Sequence, residues 1–196
     1  MAQLQTNKKN RICSGDCQTA KTTFFIPRMR GNDELSSNEN LTMTPPASLV
    51  KLVGNWTGSN RLHVTWLTPP IHDSTATASF TVAAQGQFLS LAYTWADEGK
   101  PQDGLLIIGS GETPDRVKAV WVDSWHMGDK FMSLDGTTED DGSISMRGAY
   151  AAPPGPDWGW RIVIAPGDAT FNMTMYNITP EGEEAIAVEA AFDREK

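Results

Sequence analysis

Cysteine is nearly absent from this chain of 196 residues, and the two present, Cys13 and Cys17, both lie near its N-terminus. Everything after residue 17 is therefore without disulfide staples and without thiol chemistry. The two cysteines stand four positions apart with no histidine nearby and no second pair to complete a tetrahedral zinc site, so they read as free thiols. Clustered basic residues are also missing after residue 30, and the formal charge is −8. Phosphate backbones need concentrated Lys and Arg, so a nucleic-acid partner is not expected. No run approaches the roughly 18 to 20 apolar residues that span a bilayer, and the N-terminus lacks the apolar core of a secretory signal. A cytoplasmic protein with no membrane span is the expectation.

Catalytic signatures are sparse too. No serine sits in a nucleophile elbow, no Gly-rich loop leads into a helix, and no two acids share a strand face at glycosidase separation. Glu139-Asp140-Asp141 lacks the alternating ligands of a calcium loop and reads as a solvated turn. The three histidines, His63, His72 and His126, do not pair on one face, so no metal site is expected, and no cofactor either. The Asn-x-Thr triplets at Asn40, Asn55, Asn172 and Asn177 would matter only in a secreted eukaryotic protein.

Residues 1–47 carry Gln, Asn, Ser, Lys and Thr without periodicity, broken only by Phe24, Phe25 and Ile26. Such a stretch cannot bury enough surface to offset its ordering entropy, and a disordered leader is expected there. Met43, just before Pro45-Pro46, offers an alternative start, which the intact mass of the natively expressed protein would test.

Residues 48–196 read differently. Ser48 to Val53 fits one short helical turn; after it, alternating runs are separated by turn residues, and no segment has convincing 3.6-residue periodicity. The pattern predicts an all-β domain with strands near 55–67, 76–85, 87–96, 103–109, 115–125, 130–137, 142–150, 158–165, 169–177 and 184–194. Short punctuation such as Gln85-Gly86, Pro166-Gly167-Asp168 and Pro180-Glu181-Gly182 pairs sequential neighbours as hairpins. A ten-strand meander leaves two sticky edges unless it closes, so an antiparallel up-and-down barrel is expected, with a sandwich as the competing architecture.

Side chains on a strand alternate between faces, and this parity selects the interior. It places Asn60, Leu62, Val64 and Trp66 inward on the first strand, opposite Arg61 and His63. Phe80 and Val82 follow on the second, Leu89, Leu91, Tyr93 and Trp95 on the third, and Ile144, Met146 and Tyr150 on the seventh. Trp158, Trp160, Ile162 and Ile164 share a face of the eighth strand, as Phe171, Met173 and Met175 do on the ninth. On the fifth strand the outward Lys118 leaves Trp121, Asp123 and Trp125 inside, with Val120, Val122 and His126 outside. His72 falls in the Pro69–Asp73 loop, and the Pro153–Arg161 stretch reads as a stiff loop near the barrel entrance.

An inward carboxylate needs donors or a proton. For Asp123 these are a Trp Nε1–H, the Tyr93 hydroxyl, the Asn60 amide, a ligand, or protonation through a raised pKa. A ten-strand barrel is also wider than side chains alone fill, so a cavity is expected.

The opening Gly54-Asn55-Trp56-Thr57-Gly58 resembles the Gly-x-Trp entry of calycins. Val120-Trp121-Val122-Asp123-Ser124, Met175 through Gly182, and a last strand through Glu189 and Arg194 are similar to the bacterial domain-of-unknown-function family 1579, over roughly residues 48–196. The resemblance implies a calycin-like barrel of the lipocalin, fatty-acid-binding-protein and nitrobindin kind, with Arg194 packed over Trp56 and no assigned activity. Nitrobindin-like haem ligation uses a late histidine, and none follows His126. Fatty-acid-binding relatives use inward arginines, and parity puts Arg161 outside. Neither ligand is favoured.

The leading functional reading is a non-catalytic carrier or sensor of a small apolar or aromatic molecule. The residues expected to hold it are Asn60, Trp66, Tyr93, Trp95, Trp121, Asp123, Trp125, Trp158, Trp160, Met173 and Met175. The alternative is an isomerase- or cyclase-type enzyme in which Asp123 or Tyr93 moves a proton. A third reading is a solid barrel acting as a homodimeric structural module.

Overall fold

The computed structural model describes residues 44–196. The cysteines, the triplet at Asn40, Met43 and nearly all of the expected leader lie outside the described residues. A short helix, α1 (Ala47–Val50), leads into β1 (Gly54–His63), β2 (Ile71–Ala83), β3 (Phe88–Asp97), β4 (Lys100–Ser110) and β5 (Arg116–Asp123). Then follow β6 (Met132–Thr138), β7 (Ile144–Tyr150), β8 (Trp158–Pro166), β9 (Thr170–Ile178) and β10 (Glu184–Arg194).

Each strand pairs antiparallel with its sequence neighbour, and β1 pairs with β10 from Trp56 opposite Arg194 to Leu62 opposite Val188. Ten strands thereby close into a barrel with no free edge, as the edge argument requires. Alternation of apolar and polar residues does the work locally: β5 runs exposed, buried, exposed, buried from Arg116 to Asp123 without a break.

One end of the barrel is filled. Phe171 meets Trp56 edge-on at 5.0 Å and Phe80 at 5.3 Å, and stacks on Phe192 at 4.5 Å. The Trp56 indole donates to the Leu52 carbonyl at 2.8 Å, which anchors α1 with its buried Leu49. The Arg194 guanidinium lies 4.2 Å over the Trp56 ring and donates to the carbonyls of Lys51 and Val53. These contacts tie the first and last strands together beneath the helix.

Three local readings change. β1 ends at His63, so Trp66 stands in the following turn and is 70% exposed rather than interior. β2 begins at Ile71, directly after Pro70, so His72 belongs to a strand and is buried, not in a loop. Val82 is exposed because β2 runs out past Phe80 into the 3-10 turn at Ala84–Gly86. Arg161 stands outside as parity requires, paired with Glu184 and 3.9 Å over the Tyr176 ring.

Candidate functional site

The other end of the barrel is open. There the ends of β1, β5, β7 and β9 meet the starts of β6, β8 and β10 around a cavity of about 520 Å³. Trp121, Trp125, Trp160 and His126 form its aromatic wall, Leu62, Met127 and Met132 add apolar surface, and Tyr150 and Asn177 add polar groups. Trp66 and Phe131, both largely exposed, stand at its rim. Trp121 and Trp160 stack face to face, 5.4 Å apart and 10° from parallel. Tyr150 donates its hydroxyl to Asn177 Oδ1 at 2.7 Å, bracing the wall between β7 and β9.

Asp123 sits behind this wall, 2% exposed at the end of β5. Its Oδ2 accepts from the Tyr93 hydroxyl at 2.8 Å, and that oxygen in turn accepts from Trp121 Nε1–H at 2.8 Å. Oδ1 accepts from the backbone N–H groups of Trp125 and His126 and from His126 Nδ1, each at 2.9 Å. Of the expected donors only the Tyr93 hydroxyl reaches Asp123; the Trp121 indole donates to the Tyr93 oxygen instead, and the Asn60 amide is not among the donors.

The surroundings of Asp123 favour its ionised form. Burial opposes its charge, but the hydrogen bonds from the His126 ring and backbone, that ring's charge when protonated, and the Tyr93 hydroxyl outweigh burial. Together they hold the carboxyl below its usual range. Burial and then the Asp123 charge push the Tyr93 phenol well above its ordinary value, so it remains a neutral donor.

The register explains how Tyr93 reaches Asp123. Tyr93 pairs with Gly104, and Gly104 pairs with Asp123, so the three form one row across β3, β4 and β5. A Cβ on Gly104 would fall 2.2 Å from both the Tyr93 hydroxyl and Cζ. Only a bare Cα lets the phenol cross that strand.

His126 overturns its outward assignment. Parity holds only while the strand continues, and β5 stops at Asp123. The carboxylate then caps the next N–H groups, Met127 N–H bonds back to the Asp123 carbonyl, and the turn runs on to Gly128, whose φ of +59° suits glycine. This fold-back delivers the imidazole into the cavity wall, with its side chain 9% exposed. Trp125, Trp160, Trp121 and Trp95 surround it with ring centroids at 4.7, 5.1, 5.7 and 5.8 Å. Its Nε2 is buried without a hydrogen-bond partner, and so is Trp160 Nε1.

Trp125 has its own support. His72 Nδ1–H donates to Asp97 Oδ1 at 2.7 Å, Trp125 Nε1–H donates to Asp97 Oδ2 at 3.0 Å, and His72 Nε2 meets the Pro69 carbonyl at 3.2 Å. The Asp97 hydrogen bond outweighs burial and raises the His72 pKa; His72 and then the Trp125 indole lower that of Asp97 against burial.

Of the residues expected to hold a ligand, Trp66, Trp121, Trp125 and Trp160 line the cavity. Tyr93, Trp95 and Asp123 are inward but stand behind the wall, whereas Met173 and Met175 are buried in the core outside the cavity lining. Asn60 is buried with its Nδ2 unpartnered, also outside the lining, and Trp158 is only half-buried at the start of β8. Among the residues missed are His126, Phe131, Met132, Tyr150 and Asn177. The Asp123-Ser124-Trp125-His126-Met127-Gly128 stretch carried the usable signal, an Asp able to cap a turn that ends on glycine.

Fold and site together define a closed ten-stranded antiparallel barrel, filled at one end and holding an aromatic cavity at the other. The chain belongs to the family described as Protein of unknown function (DUF1579), whose model matches residues 44–194. No curated protein matches it. Among solved structures it is similar to that titled Crystal Structure of Rv2717c from M. tuberculosis. The TM-score is 0.55 at 13% identity, covering 76% of this chain and 96% of that one, and the likeness is one of fold. Among the described residues no helix is long and apolar enough to cross a membrane.

Proposed function

We propose that this protein binds a small apolar or aromatic molecule in the mouth of its barrel and carries or senses it without changing it chemically. The supporting observation is the cavity of about 520 Å³ walled by Trp121, Trp125 and Trp160. That size falls in the usual range of ligand sites and weighs against a solid, purely structural barrel. Exposed Trp66 and Phe131 at the rim supply further apolar surface that a guest would cover. Native mass spectrometry of freshly purified protein tests the reading through a co-purified small molecule. Titration with naphthalene, followed by quenching of tryptophan fluorescence, tests it independently. An empty protein that also ignores naphthalene would end it.

The enzyme reading draws on one observation, the Asp123–His126 pair with Nε2 unpartnered at the cavity. Asp123 and Tyr93 do not line that cavity, so proton transfer would fall to His126, with Asp123 as the group that orients it. Asp123→Asn separates the two: a carrier keeps its affinity within about tenfold, whereas an acid–base enzyme loses ~10²-fold or more in rate.

A further inference from the structure

Two buried groups at the cavity are unsatisfied, and they are of opposite kind. In the tautomer that donates Nδ1–H to Asp123, the imidazole is left with a lone pair at Nε2, and Nε2 has no partner. Trp160 Nε1 can only donate, is equally buried, and also has no partner. The two rings lie 5.1 Å apart on the same wall. Buried polar atoms are ordinarily paired, and two orphans in adjoining rings point to a group that arrives with the guest.

We infer that the guest is a hydroxyaromatic molecule whose hydroxyl donates to His126 Nε2 and accepts from Trp160 Nε1–H, while its ring system lies against the tryptophans. This inference rests on the proposed binding function and names the ligand class. A hydroxyl is the smallest group that both donates and accepts, so it satisfies both orphans at once. A carbonyl or ether leaves Nε2 unpaired, and an unsubstituted ring leaves both. Asp123, Tyr93 and Trp121 fix the tautomer from behind and serve as positioning residues.

The test is a fluorescence and calorimetric titration of the full chain with three probes of one shape: 2-naphthol, 2-methoxynaphthalene and naphthalene. Leaving a buried acceptor unpaired weakens binding by about tenfold or more, so 2-naphthol is expected to bind at least about tenfold tighter than its methyl ether. That ratio should collapse in His126→Phe and shrink in Trp160→Phe; the three-probe comparison on the unaltered chain stands even if a variant does not fold. Equal affinity for all three probes, as when ordered water already satisfies the wall, overturns the hydroxyl inference and leaves the cavity function standing. Failure of every probe to bind overturns the hydroxyaromatic inference, and if the freshly purified protein is also empty by native mass spectrometry it removes the binding function as well.

Discussion

Asp123→Ala is the most demanding perturbation of the site's scaffold. The substitution removes the acceptor of four donors: the Tyr93 hydroxyl, two backbone N–H groups and His126 Nδ1–H. Each buried donor left unpaired costs about 1–3 kcal/mol. Their simple sum overshoots, because the fold-back after β5 borders the cavity and water can reach part of it. Discounting the sum for that access leaves an expected cost of about 3–5 kcal/mol. With an m-value of about 2 kcal/mol per molar urea, a loss of 4 kcal/mol moves the midpoint down by about 2 M. Asp123→Asn keeps an oxygen for the backbone donors but offers Tyr93 a donor instead of an acceptor, so about 1–3 kcal/mol is expected. The assay is urea unfolding by tryptophan fluorescence, with equal slopes required for comparison. A fall of less than about 0.5 M for Asp123→Ala would refute the account of this network. The pH dependence gives a second check. The Asp123 carboxyl is lowered in the folded state, so its contribution is present above the ordinary carboxylate pKa of about 3.9 and lost as pH falls through the lower folded value. The stability gap between the natural chain and Asp123→Asn should therefore narrow below about pH 4.

Gly104→Ala should lower stability by about 1–3 kcal/mol through overpacking against Tyr93, read as a urea midpoint; a neutral result would show that the phenol does not need that bare Cα. Arg194→Ala removes a cation–π contact and two carbonyl hydrogen bonds at the filled end, a loss of about 2–4 kcal/mol in urea unfolding. Arg194→Lys should recover less than half of it, because an ammonium cannot stack and fork together, and full recovery would contradict the stacked geometry. For the clasp on Trp125, the raised His72 contributes fully below about pH 6.5 and is lost as pH rises through its higher folded value. Asp97 contributes above about pH 3.9 and is lost as pH falls through its lower one. Thermal midpoints should decline as pH rises above about 6.5 more steeply in the natural chain than in His72→Gln; identical slopes would remove His72 from the explanation.

The barrel was legible because its signals are local and repeated. Alternation names a face, and short Gly- and Asp-bearing turns force neighbours to pair. The same period of two found the inward Asp123 and brought Tyr93 into the list of its donors. Parity carries no information about depth along the barrel axis, however. Met173 and Met175 point inward as read, yet they belong to the core and not to the cavity lining. Parity also lapses where a strand ends. Trp66 lies three residues beyond β1 and His126 three beyond β5; in both cases counting continued after the pleat had stopped. His72 shows the converse, a strand beginning immediately after a proline where a loop was expected, since proline excludes only its own N–H from the ladder.

Filling one end of the barrel has a kinetic meaning. Among the described residues the packed cluster of Trp56, Phe80, Phe171 and Phe192 fills the far end, so a guest in the cavity would enter and leave at the rim where Trp66 and Phe131 stand. A newcomer cannot push the occupant out through the far side; it must wait for a vacancy. Exchange of a bound guest would then run at a single dissociation rate that does not change with the concentration of competitor.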